Sequence, residues 1–449
     1  MSIQAKIANA RKAFEQIKDY TQEQADEMVY VSGKIIYDNA APLARMAVDE
    51  TGFGKYEHKI DKNMYTPAVF WDYLKDKKSV GIIKEVPELG LMEVAHPIGV
   101  IAAITPATGP TVTPLGNIMH ALKTKNAIIV SPHPRAQGVS TKTVEFVREA
   151  LAKIGAPKDL VQVLDEVSMA DSRDLMEACD LVIATGSAGL TKAAYSSGTP
   201  AYGVGPGNPP VILDRDFDLD KAAEVTLESV FSDNGILCDG DNLLLYPQEL
   251  ESAFFDALKK VGIVVYDKDA DVGKFRDLLF GDGAFNADML GKDAPIIAKA
   301  AGFTVPDATD ALAFKVHAIG KEEVMSHETM APVVILKSYD KFEEAVDMAV
   351  RNMVESGGIG HTGGLFSDNK ERIAYAAERI PVARLCINHS TTDAWGPPHN
   401  ALSPAVSESC GTWGNNILAE NVDFYHLLNI SKVVKPLDVD FDVTKVFTK

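Results

Sequence analysis

Short apolar runs alternate with helix-like stretches along residues 100–184, and this alternation restricts the possible folds more than any other feature of the sequence. The runs are only four or five residues long, which suits buried strands better than helices. Amphipathic stretches such as residues 140–153 and 172–178 separate them. This pattern predicts a parallel sheet with helices on both faces, in which ligands bind at the carboxyl ends of the strands. The four runs are residues 100–104, 127–130, 160–164 and 181–184.

A second alternating region begins near residue 224, so we expect a second α/β unit. The length of 449 residues also exceeds what one compact core usually holds. Residues 1–80 have the spacing of amphipathic helices, and two short runs within residues 80–98 predict a strand pair. The apolar runs of the second unit are residues 242–246, 262–266, 332–337, 363–366 and 383–388. The chain is thus divided into residues 1–223, 224–415 and 416–449, the last being a terminal strand or arm.

The charge and the cysteines exclude several classes of protein. A net charge of −19 repels nucleic acid and anionic membranes, so neither is an expected partner. No apolar stretch is long enough to span a bilayer, and the N-terminus lacks the basic-then-apolar layout of a signal peptide. The four cysteines are widely spaced and form no CxxC pair, which argues against disulfides and against a zinc site. We therefore predict a cytoplasmic protein without a metal.

Cys238 and His361 are the residues whose surroundings suggest chemistry. Cys238 follows Asp-Asn-Gly and precedes Asp-Gly, which predicts an accessible loop, whereas structural cysteines usually lie within apolar runs. An incidental loop cysteine is the alternative, because no base is adjacent and both Asp233 and Asp239 would oppose a thiolate unless they point away. His361 lies in a glycine-rich stretch, which predicts an exposed loop with either a ligand or catalytic role or a turn histidine bonded to its own backbone.

Two glycine-rich segments, residues 185–189 and 203–208, have the composition of ligand-binding turns. Neither shows GxGxxG after a strand with an acidic residue about twenty positions later, which is the usual dinucleotide fingerprint. Taken singly, each segment is a weak signal, for which a plain turn is the more common explanation.

Taken together, the motifs resemble the CoA-acylating branch of the aldehyde dehydrogenase family along the whole chain. The resemblance is carried by Asp-Asn-Gly-Ile-Leu-Cys at 233–238, Gly-His-Thr at 360–362 and Cys-Gly-Thr-Trp-Gly at 410–414. Within that branch the chain is most similar to acylating succinate-semialdehyde dehydrogenases, and it shares much with acylating sulfoacetaldehyde and acetaldehyde dehydrogenases. Four further matching segments are residues 36–40, 76–84, 131–134 and 193–198.

The resemblance implies an aldehyde dehydrogenase-like α/β fold. Residues 1–223 would form a Rossmann-type domain that binds NAD or NADP, and residues 224–415 would form the α/β catalytic domain. Residues 416–449 would return to the cofactor domain and form a small oligomerisation arm. A homodimer or a homotetramer is therefore expected.

The resemblance also places Cys238 at the family's nucleophile. It implies a reversible reaction of an aldehyde, CoA and NAD(P)+ to an acyl-CoA and NAD(P)H, through a thiohemiacetal and a thioester on the cysteine. Hydrolytic relatives carry a glutamate base where this chain has Gly203, so the thioester would persist until CoA arrives. His361 is the candidate for proton transfer, and Thr108 joins the catalytic set.

The expected substrate is succinate semialdehyde or, in reverse, succinyl-CoA. Sulfoacetaldehyde, acetaldehyde or another small aldehyde is the first alternative, and a hydrolytic aldehyde dehydrogenase is the second. A binding or structural protein on the same fold is a further alternative, which the presence of both Cys238 and His361 disfavours.

The cofactor residues are likewise implied by the resemblance. The turn at residues 185–187 would open a helix toward the pyrophosphate, and Glu328 would bind the nicotinamide ribose. The turn at residues 131–135 would face the adenosine ribose, and because it has no carboxylate it would allow the 2′-phosphate of NADP. The full set is Thr105, Pro106, Ser131, His133, Pro134, Arg135, Thr185, Gly186, Ser187, Gly205 and Glu328.

The sequence departs from the family pattern in three places. Gly109 stands where relatives usually have an asparagine, so an amide contact is lost. Residues 238–242 read Cys-Asp-Gly-Asp-Asn instead of the usual Cys-x-Ser-Glu-Gln. Residues 388–399 read Asn-His-Ser-Thr-Thr-Asp-Ala-Trp-Gly-Pro-Pro-His, where relatives have small residues and glycines. We expect this last stretch to border the acyl pocket.

Overall fold

The computed structural model of the protein describes residues 1–439 and 441–446. Its helices are α1 (Ile3–Gln16), α2 (Gln22–Asp38), α3 (Ala40–Thr51), α4 (Tyr56–Leu74), α5 (Val112–Lys123), α6 (Gln137–Lys153), α7 (Met169–Ala178), α8 (Ala188–Tyr195), α9 (Leu219–Phe231), α10 (Glu251–Lys260), α11 (Asp269–Phe280), α12 (Ala294–Ala300), α13 (Phe342–Ser356), α14 (Lys370–Arg379) and α15 (Val443–Val446). Its strands are β1 (Gly81–Val86), β2 (Leu91–Pro97), β3 (Val100–Ile104), β4 (Ala127–Ser131), β5 (Val161–Val163), β6 (Leu181–Thr185), β7 (Ala201–Val204), β8 (Pro210–Leu213), β9 (Leu243–Pro247), β10 (Ile263–Tyr266), β11 (Ala311–Lys315), β12 (Val333–Tyr339), β13 (Gly360–Phe366), β14 (Val382–Ile387) and β15 (Leu428–Val434).

Four helices precede the first strand, as the spacing of apolar residues predicts. Helix α2 begins with a capping box in which Thr21 and Gln24 satisfy each other's backbone N–H groups. Its apolar face, which includes Met28, Val29 and Ile36, is fully buried. These side chains belong to one hydrophobic cluster with strands β3, β4 and β6, so the N-terminal helices stabilise the first sheet.

The first sheet is parallel and has the strand order β5-β4-β3-β6-β7. Every residue of β3, β4 and β6 is buried, because helices cover both faces. All four apolar runs of the first predicted unit are strands here. Strand order reverses direction between β3 and β6, and a cleft at the carboxyl ends of these strands is where such folds bind ligands.

The second sheet is also parallel and has the order β10-β11-β12-β9-β8-β13-β14. Five of its strands coincide with the predicted runs, and β8 and β11 are additional. Strand β8 at Pro210–Leu213 lies before residue 224, so this sheet begins earlier in the chain than the boundary inferred from the sequence. Two hydrophobic clusters pack against its two faces.

The third sheet is small and antiparallel, with the order β1-β2-β15. The first two strands are the predicted pair, and β15 pairs with β2 along its full length, from Leu428 opposite Pro97 to Val434 opposite Leu91. The C-terminal segment therefore returns to the first half of the chain. Asp440 and residues 447–449, which belong to that predicted segment, lie outside the described residues. None of the described helices has both the length and the apolar character that a bilayer span requires.

Candidate active site

The loop that carries Cys238 follows helix α9 and begins with a 3-10 turn at Ser232–Gly235. Asp233 and Asn234 adopt left-handed backbone angles in this turn, with φ of 47° and 56°. The buried carboxylate of Asp233 anchors the turn to helix α4, because it accepts hydrogen bonds from Lys59 Nζ at 2.8 Å and from Lys62 Nζ at 2.9 Å. Cys238 is thereby held in a turn where its side chain is partly exposed, which confirms the predicted loop position.

Cys238 faces a cleft of about 610 Å³ that both halves of the chain line. From the first sheet come Pro106 and Thr108, in the loop after β3, and Thr185 at the end of β6. The structure therefore brings together four of the residues selected from the sequence. A cleft with a thiol on one wall and the ends of parallel strands on the other can hold a small substrate beside a nucleotide.

A second, small cavity is lined by both Cys238 and Glu328. Burial raises the pKa of Glu328 to about 8, although a hydrogen bond from the Gly207 backbone opposes the rise. Both Cys238 and Glu328 keep some accessible surface, but protein atoms surround them on most sides. A carboxyl group this close to the thiol, and mainly protonated at neutral pH, can exchange hydrogen bonds with a hydroxyl-bearing ligand.

The glycine-rich segment 203–208 packs directly against the backbone of the loop that carries Cys238. A Cβ at Gly207 would lie 1.6 Å from the carbonyl oxygen of Cys238, so only glycine allows this approach. Gly205 is buried in the same segment, where a Cβ would lie 3.7 Å from Sγ of Cys410. Among the described residues, those that line the cleft do not include Gly205.

The position of Gly203 has no room for a side chain. A Cβ there would lie 2.6 Å from Cγ2 of Thr191 and 2.8 Å from the ring of Tyr195. The Tyr195 hydroxyl also accepts a hydrogen bond from the Gly203 N–H at 2.9 Å. A glutamate at this position would displace helix α8, so the packing of α8 against Gly203 leaves no space for a carboxylate here.

The electrostatic surroundings of Cys238 hold its thiol in the protonated form. Burial raises its pKa well above the ordinary value, and the negative fields of Asp239 and Glu408 add to the effect. Asp239 therefore opposes the thiolate, as the sequence suggested. Asp233 does not act on the thiol in this way, because its carboxylate is paired with the two lysines of α4.

Asp239 and Glu408 form a buried pair of carboxyl groups on the wall of the cleft. Burial raises the pKa of Glu408 to about 7, while the guanidinium of Arg384, with Nε 3.8 Å from Oε2 of Glu408, opposes the rise. Burial followed by the charge of Glu408 raises the pKa of Asp239 well above its usual range. The pair therefore holds protons near neutral pH. From the sequence, Asp239 was expected only to oppose the thiolate. Its pairing with Glu408 has no local signal, because residues 239 and 408 are far apart along the chain.

The prediction that His361 lies in an exposed loop is wrong. His361 is the second residue of strand β13 and is fully buried. Glycines surround it because strand β13 packs closely on its neighbours: a Cβ at Gly360 would lie 1.9 Å from the carbonyl oxygen of Cys410. Nδ1 of His361 lies 2.9 Å from the Thr362 hydroxyl, and Nε2 has no hydrogen-bond partner within the described chain.

His361 is also held neutral. Burial lowers its pKa well below the ordinary value, and the nearby charge of Arg384 adds to the effect. The same arginine donates a hydrogen bond from Nη2 to the His361 carbonyl at 2.9 Å. Within the described chain, the residues that line the cleft do not include His361.

The loops after β3 and β6 carry the first group of expected cofactor residues. The Thr105 N–H donates to the Ser131 carbonyl at 3.0 Å, and Oγ1 of Thr105 is buried without a partner among the described residues. Thr185 lines the cleft, and Gly186 and the exposed Ser187 follow it. Ser187 caps helix α8 by accepting a hydrogen bond from the Leu190 N–H at 3.3 Å. The first N–H groups of this exposed helix end face solvent, where a pyrophosphate would fit.

The turn after β4 carries the second group. Ser131 is buried, with its hydroxyl 2.9 Å from that of Ser172, whereas His133, Pro134 and Arg135 are exposed. Nδ1 of His133 accepts a hydrogen bond from the Arg135 N–H at 3.1 Å, which fixes the turn. The exposed turn leaves room for an adenosine ribose at the end of the strand.

A carboxylate from elsewhere in the chain reaches this turn, contrary to the interpretation of the local sequence. Glu50, at the end of α3, accepts hydrogen bonds from the N–H groups of Gly138 and Val139 at 2.7 Å each. These are the first free amides of helix α6, where an anion is favoured. A ribose bound beside Arg135 would therefore have a negative charge close to its hydroxyl groups. No local pattern marks this contact, because 88 residues separate Glu50 from Gly138.

The departures from the family pattern border the cleft. A Cβ at Gly109 would lie 2.6 Å from Oγ1 of Thr113, so an asparagine there would require the Thr113 side chain to shift. The stretch 388–399 contributes Asp393, Trp395 and His399 to the lining, in agreement with the expectation for this region. Helix α4 supplies a further wall that the sequence analysis missed, formed by His58, Asp61, Lys62 and Tyr65.

Comparisons with known proteins agree with this geometry. The sequence profile of the aldehyde dehydrogenase family matches residues 1–268 and 318–400. A protein from Clostridium kluyveri named succinate-semialdehyde dehydrogenase (acetylating) is 44% identical over 433 residues, which cover 96% of this chain and 95% of that protein. The chain belongs to the aldehyde dehydrogenase family. The resemblance stated from the sequence motifs is thereby confirmed.

Solved structures of aldehyde dehydrogenases share the whole fold. An acetylating aldehyde dehydrogenase from Geobacillus thermoglucosidasius matches with a TM-score of 0.93 and 33% identity, over 98% of this chain and 97% of that one. A propionaldehyde dehydrogenase from Rhodopseudomonas palustris, solved with bound CoA and an acylated cysteine, matches with a TM-score of 0.86 and 25% identity over 97% of each chain. The aldehyde dehydrogenase-like α/β fold is confirmed.

Proposed function

We propose that this chain is a CoA-acylating aldehyde dehydrogenase with Cys238 as its nucleophile. The reaction converts an aldehyde, CoA and NAD(P)+ into an acyl-CoA, NAD(P)H and a proton. A bound nicotinamide supplies the hydride acceptor. The domain at residues 1–223 would bind that cofactor, and the catalytic domain would begin at strand β8 rather than at residue 224.

The observation that carries the proposal is the packing around Gly203. Hydrolytic relatives need a carboxylate base at this position to activate water, and here Thr191 and Tyr195 occupy the space that its side chain would need. A thioester on Cys238 therefore has no activated water beside it. Thioesters react readily with thiols, so CoA is the acceptor that fits this site.

In this mechanism, Cys238 loses its proton and the sulfur adds to the aldehyde carbon, which gives a thiohemiacetal. Loss of hydride from that carbon leaves a thioester, and the CoA sulfur then displaces Cys238 and carries the acyl group away. We propose His361 as the proton-transfer group on the strength of the family resemblance, with Thr108 beside the substrate. The free Nε2 of His361 supports this role, whereas its burial away from the cleft lining means that a water or a small movement must complete the path.

The cofactor assignment follows the strand ends described above. We assign the cofactor contacts to Thr105, the exposed N-terminus of α8 after Ser187, and Glu328, an assignment that the family resemblance supports. The carboxylate of Glu50 beside the adenosine turn would repel the 2′-phosphate of NADP. We therefore propose that NAD is preferred over NADP.

For the substrate, we propose succinate semialdehyde, which the name of the Clostridium kluyveri relative specifies. Sulfoacetaldehyde and acetaldehyde are the alternatives to be compared, because the 388–399 stretch changes the cleft wall. We also propose a homodimer or a homotetramer and a cytoplasmic location, the latter because four unpaired cysteines suit a reducing compartment.

The test is to follow the absorbance of the reduced cofactor while CoA is withheld. With aldehyde and NAD+ alone, we expect a burst of about one NADH per active site and then almost no turnover, because the thioester has no activated water. Addition of CoA should restart the reaction. The Cys238→Ala variant is the control and should give no burst.

Steady turnover in the complete absence of CoA would place the chain with the hydrolytic enzymes and end the proposal. The His361→Ala variant separates the two roles of that residue. If it transfers protons, both the burst and the CoA-dependent phase become slower. If it only orders strand β13, the burst keeps its rate and substrate binding weakens.

A further inference from the structure

Three side chains of the 388–399 stretch converge on one point at the wall of the cleft. Oδ2 of Asp393 lies 3.1 Å from Nδ1 of His389 and 2.9 Å from Nε2 of His399. The two imidazole rings are 6.2 Å apart and nearly perpendicular, at 87°. All three ligand-type atoms lie within 4.8 Å of one another. Two imidazole nitrogens and one carboxylate oxygen therefore point into a common volume.

The backbone of this stretch fixes that arrangement. Ser390 caps the 3-10 helix Thr391–Trp395, which places Asp393 one turn after His389. Nδ2 of Asn400 donates a hydrogen bond to the Asp393 carbonyl at 2.9 Å, and this contact brings the segment that carries His399 back onto the same turn. The convergence thus comes from local chain geometry, so the three side chains need no large rearrangement to act together.

We propose that His389, Asp393 and His399 bind a divalent transition-metal cation of the zinc class. Imidazole and carboxylate are the usual protein ligands of such ions, with bonds of about 2.0–2.2 Å. Hard ions such as Mg²⁺ prefer oxygen ligands only, so they fit this set poorly. Three protein ligands leave a fourth coordination position for water or for a group from the cleft.

The charge around the cluster favours a cation. Asp61, Glu228 and Asp393 line the same cleft. The lysine among the described lining residues, Lys62, already pairs with the buried Asp233 and so does not neutralise these carboxylates. The sequence-based prediction of no metal rests on the cysteine spacing, whereas the ligands here are histidine and aspartate at His-x₃-Asp-x₅-His spacing.

The proposal is tested by zinc binding, which does not depend on catalysis. The full-length protein is first treated with a chelator and dialysed, and zinc ion alone is then titrated by isothermal calorimetry. The Cys238→Ala background removes the exposed thiol as a competing ligand. We expect one zinc per chain, and we expect His399→Ala and Asp393→Asn each to weaken binding by at least about tenfold. In the same background, cobalt(II) should give the visible absorption of a four-coordinate site.

The matched control is His317→Ala. His317 also lies 2.9 Å from an aspartate, Asp269, but both side chains are well exposed and no third ligand joins them within the described chain. This variant should bind zinc like the parent. Circular dichroism and thermal melting establish whether each variant is folded. If the His399 or the Asp393 variant does not fold, His389→Gln replaces it in the zinc titration. Absence of zinc binding, or equal binding by the parent and the His399 and Asp393 variants, overturns the proposal.

Discussion

Cys238, the proposed nucleophile, lies in a resting environment that disfavours its reactive thiolate form. Its pKa is raised by burial, by Asp239 and by Glu408, so the thiolate fraction at neutral pH is small. A substrate or cofactor that enters the cleft displaces water and changes the field around the thiol. The resting protein is thereby protected from incidental oxidation or alkylation, since only the thiolate reacts rapidly.

Alkylation should report this environment directly. Cys179, Cys386 and Cys410 are buried, so iodoacetamide should label mainly Cys238, as peptide mass spectrometry would show. Because the pKa of Cys238 is raised, labelling should be slow at neutral pH and should still accelerate as the pH passes the ordinary thiol pKa. Cys238→Ala should lose turnover by at least about a thousandfold while it still binds cofactor. Substantial turnover in that variant would show that Cys238 is not the nucleophile.

Glu50 should set the choice between the two nicotinamide cofactors. Its carboxylate accepts hydrogen bonds from two backbone N–H groups at the N-terminus of α6, close to the exposed turn at Arg135. In Glu50→Gln the repulsion of a 2′-phosphate is removed, and the ratio of kcat/KM for NADP to that for NAD should rise by about tenfold. Glu145→Gln, on an exposed part of the same helix, is the control and should leave the ratio unchanged. An unchanged ratio in Glu50→Gln would show that the 2′-phosphate lies elsewhere.

At the scale of elements, the sequence predicts strands well where apolar runs are uninterrupted. The run at residues 100–104 coincides with β3. A strand that is buried on both faces has a continuous apolar sequence, so the run marks the strand directly. Strand β8 escaped prediction because it begins at the second of two adjacent prolines, and proline disfavours strands except at their first residue. Strand β13 was partly missed because its glycines resemble a loop, although they are needed for close packing against Cys410.

The candidate site was predictable only where the family resemblance named single residues. Cys238, Thr108, Pro106 and Thr185 meet in one cleft as expected. Glu408 and Glu50 reach their positions through tertiary contacts between segments far apart in the chain, and no local pattern marks such contacts. Burial lowers the pKa of His361 and keeps it neutral, whereas its glycine-rich sequence suggests an exposed residue.

The ion pairs between Asp233, in the turn before Cys238, and the two lysines of α4 should stabilise the folded protein strongly. Asp233 is fully buried between Lys59 and Lys62, so Asp233→Asn leaves two lysines without their counter-charge. We expect the free energy of unfolding to fall by about 3 kcal/mol, measured by urea denaturation. Asp38→Asn, which removes an exposed ion pair with Lys34, is the control and should cost less than about 1 kcal/mol. A similar small loss in both variants would contradict this prediction.

The ion pairs of Asp233 with Lys59 and Lys62 should also make the free energy of unfolding depend on pH. Burial alone would favour the neutral acid, but Lys62 and Lys59 lower the pKa of Asp233 below its ordinary value. The stabilisation is therefore complete above about pH 4 and is lost as the pH falls through the lowered pKa. Burial also lowers the pKa of Lys59, yet the contacts of 2.8 and 2.9 Å to Asp233 favour the ionised pair at neutral pH. The difference in stability between the wild type and Asp233→Asn should thus shrink as the pH falls into the acid range.

At the scale of the whole molecule, the third sheet and the chain that follows it are incompletely covered. Strand β15 extends the β1-β2 pair, and its last residues are exposed, with Val434 at 71%. Exposed apolar side chains continue beyond it at Leu437, Val439 and Phe441. Apolar surface of this extent near a sheet edge is typical of an interface with another subunit.

We therefore expect the protein to associate through this region. Multi-angle light scattering at micromolar concentration should give a multiple of the 48.4 kDa chain mass. The double variant Val439→Ser, Phe441→Ser should shift the mass toward that of one chain, because it removes apolar area from the interface without touching β15. Val354→Ser, an equally exposed valine on α13, is the matched control and should leave the mass unchanged. A wild-type mass of one chain would contradict the prediction, and an unchanged mass in the double variant would place the interface elsewhere on the surface.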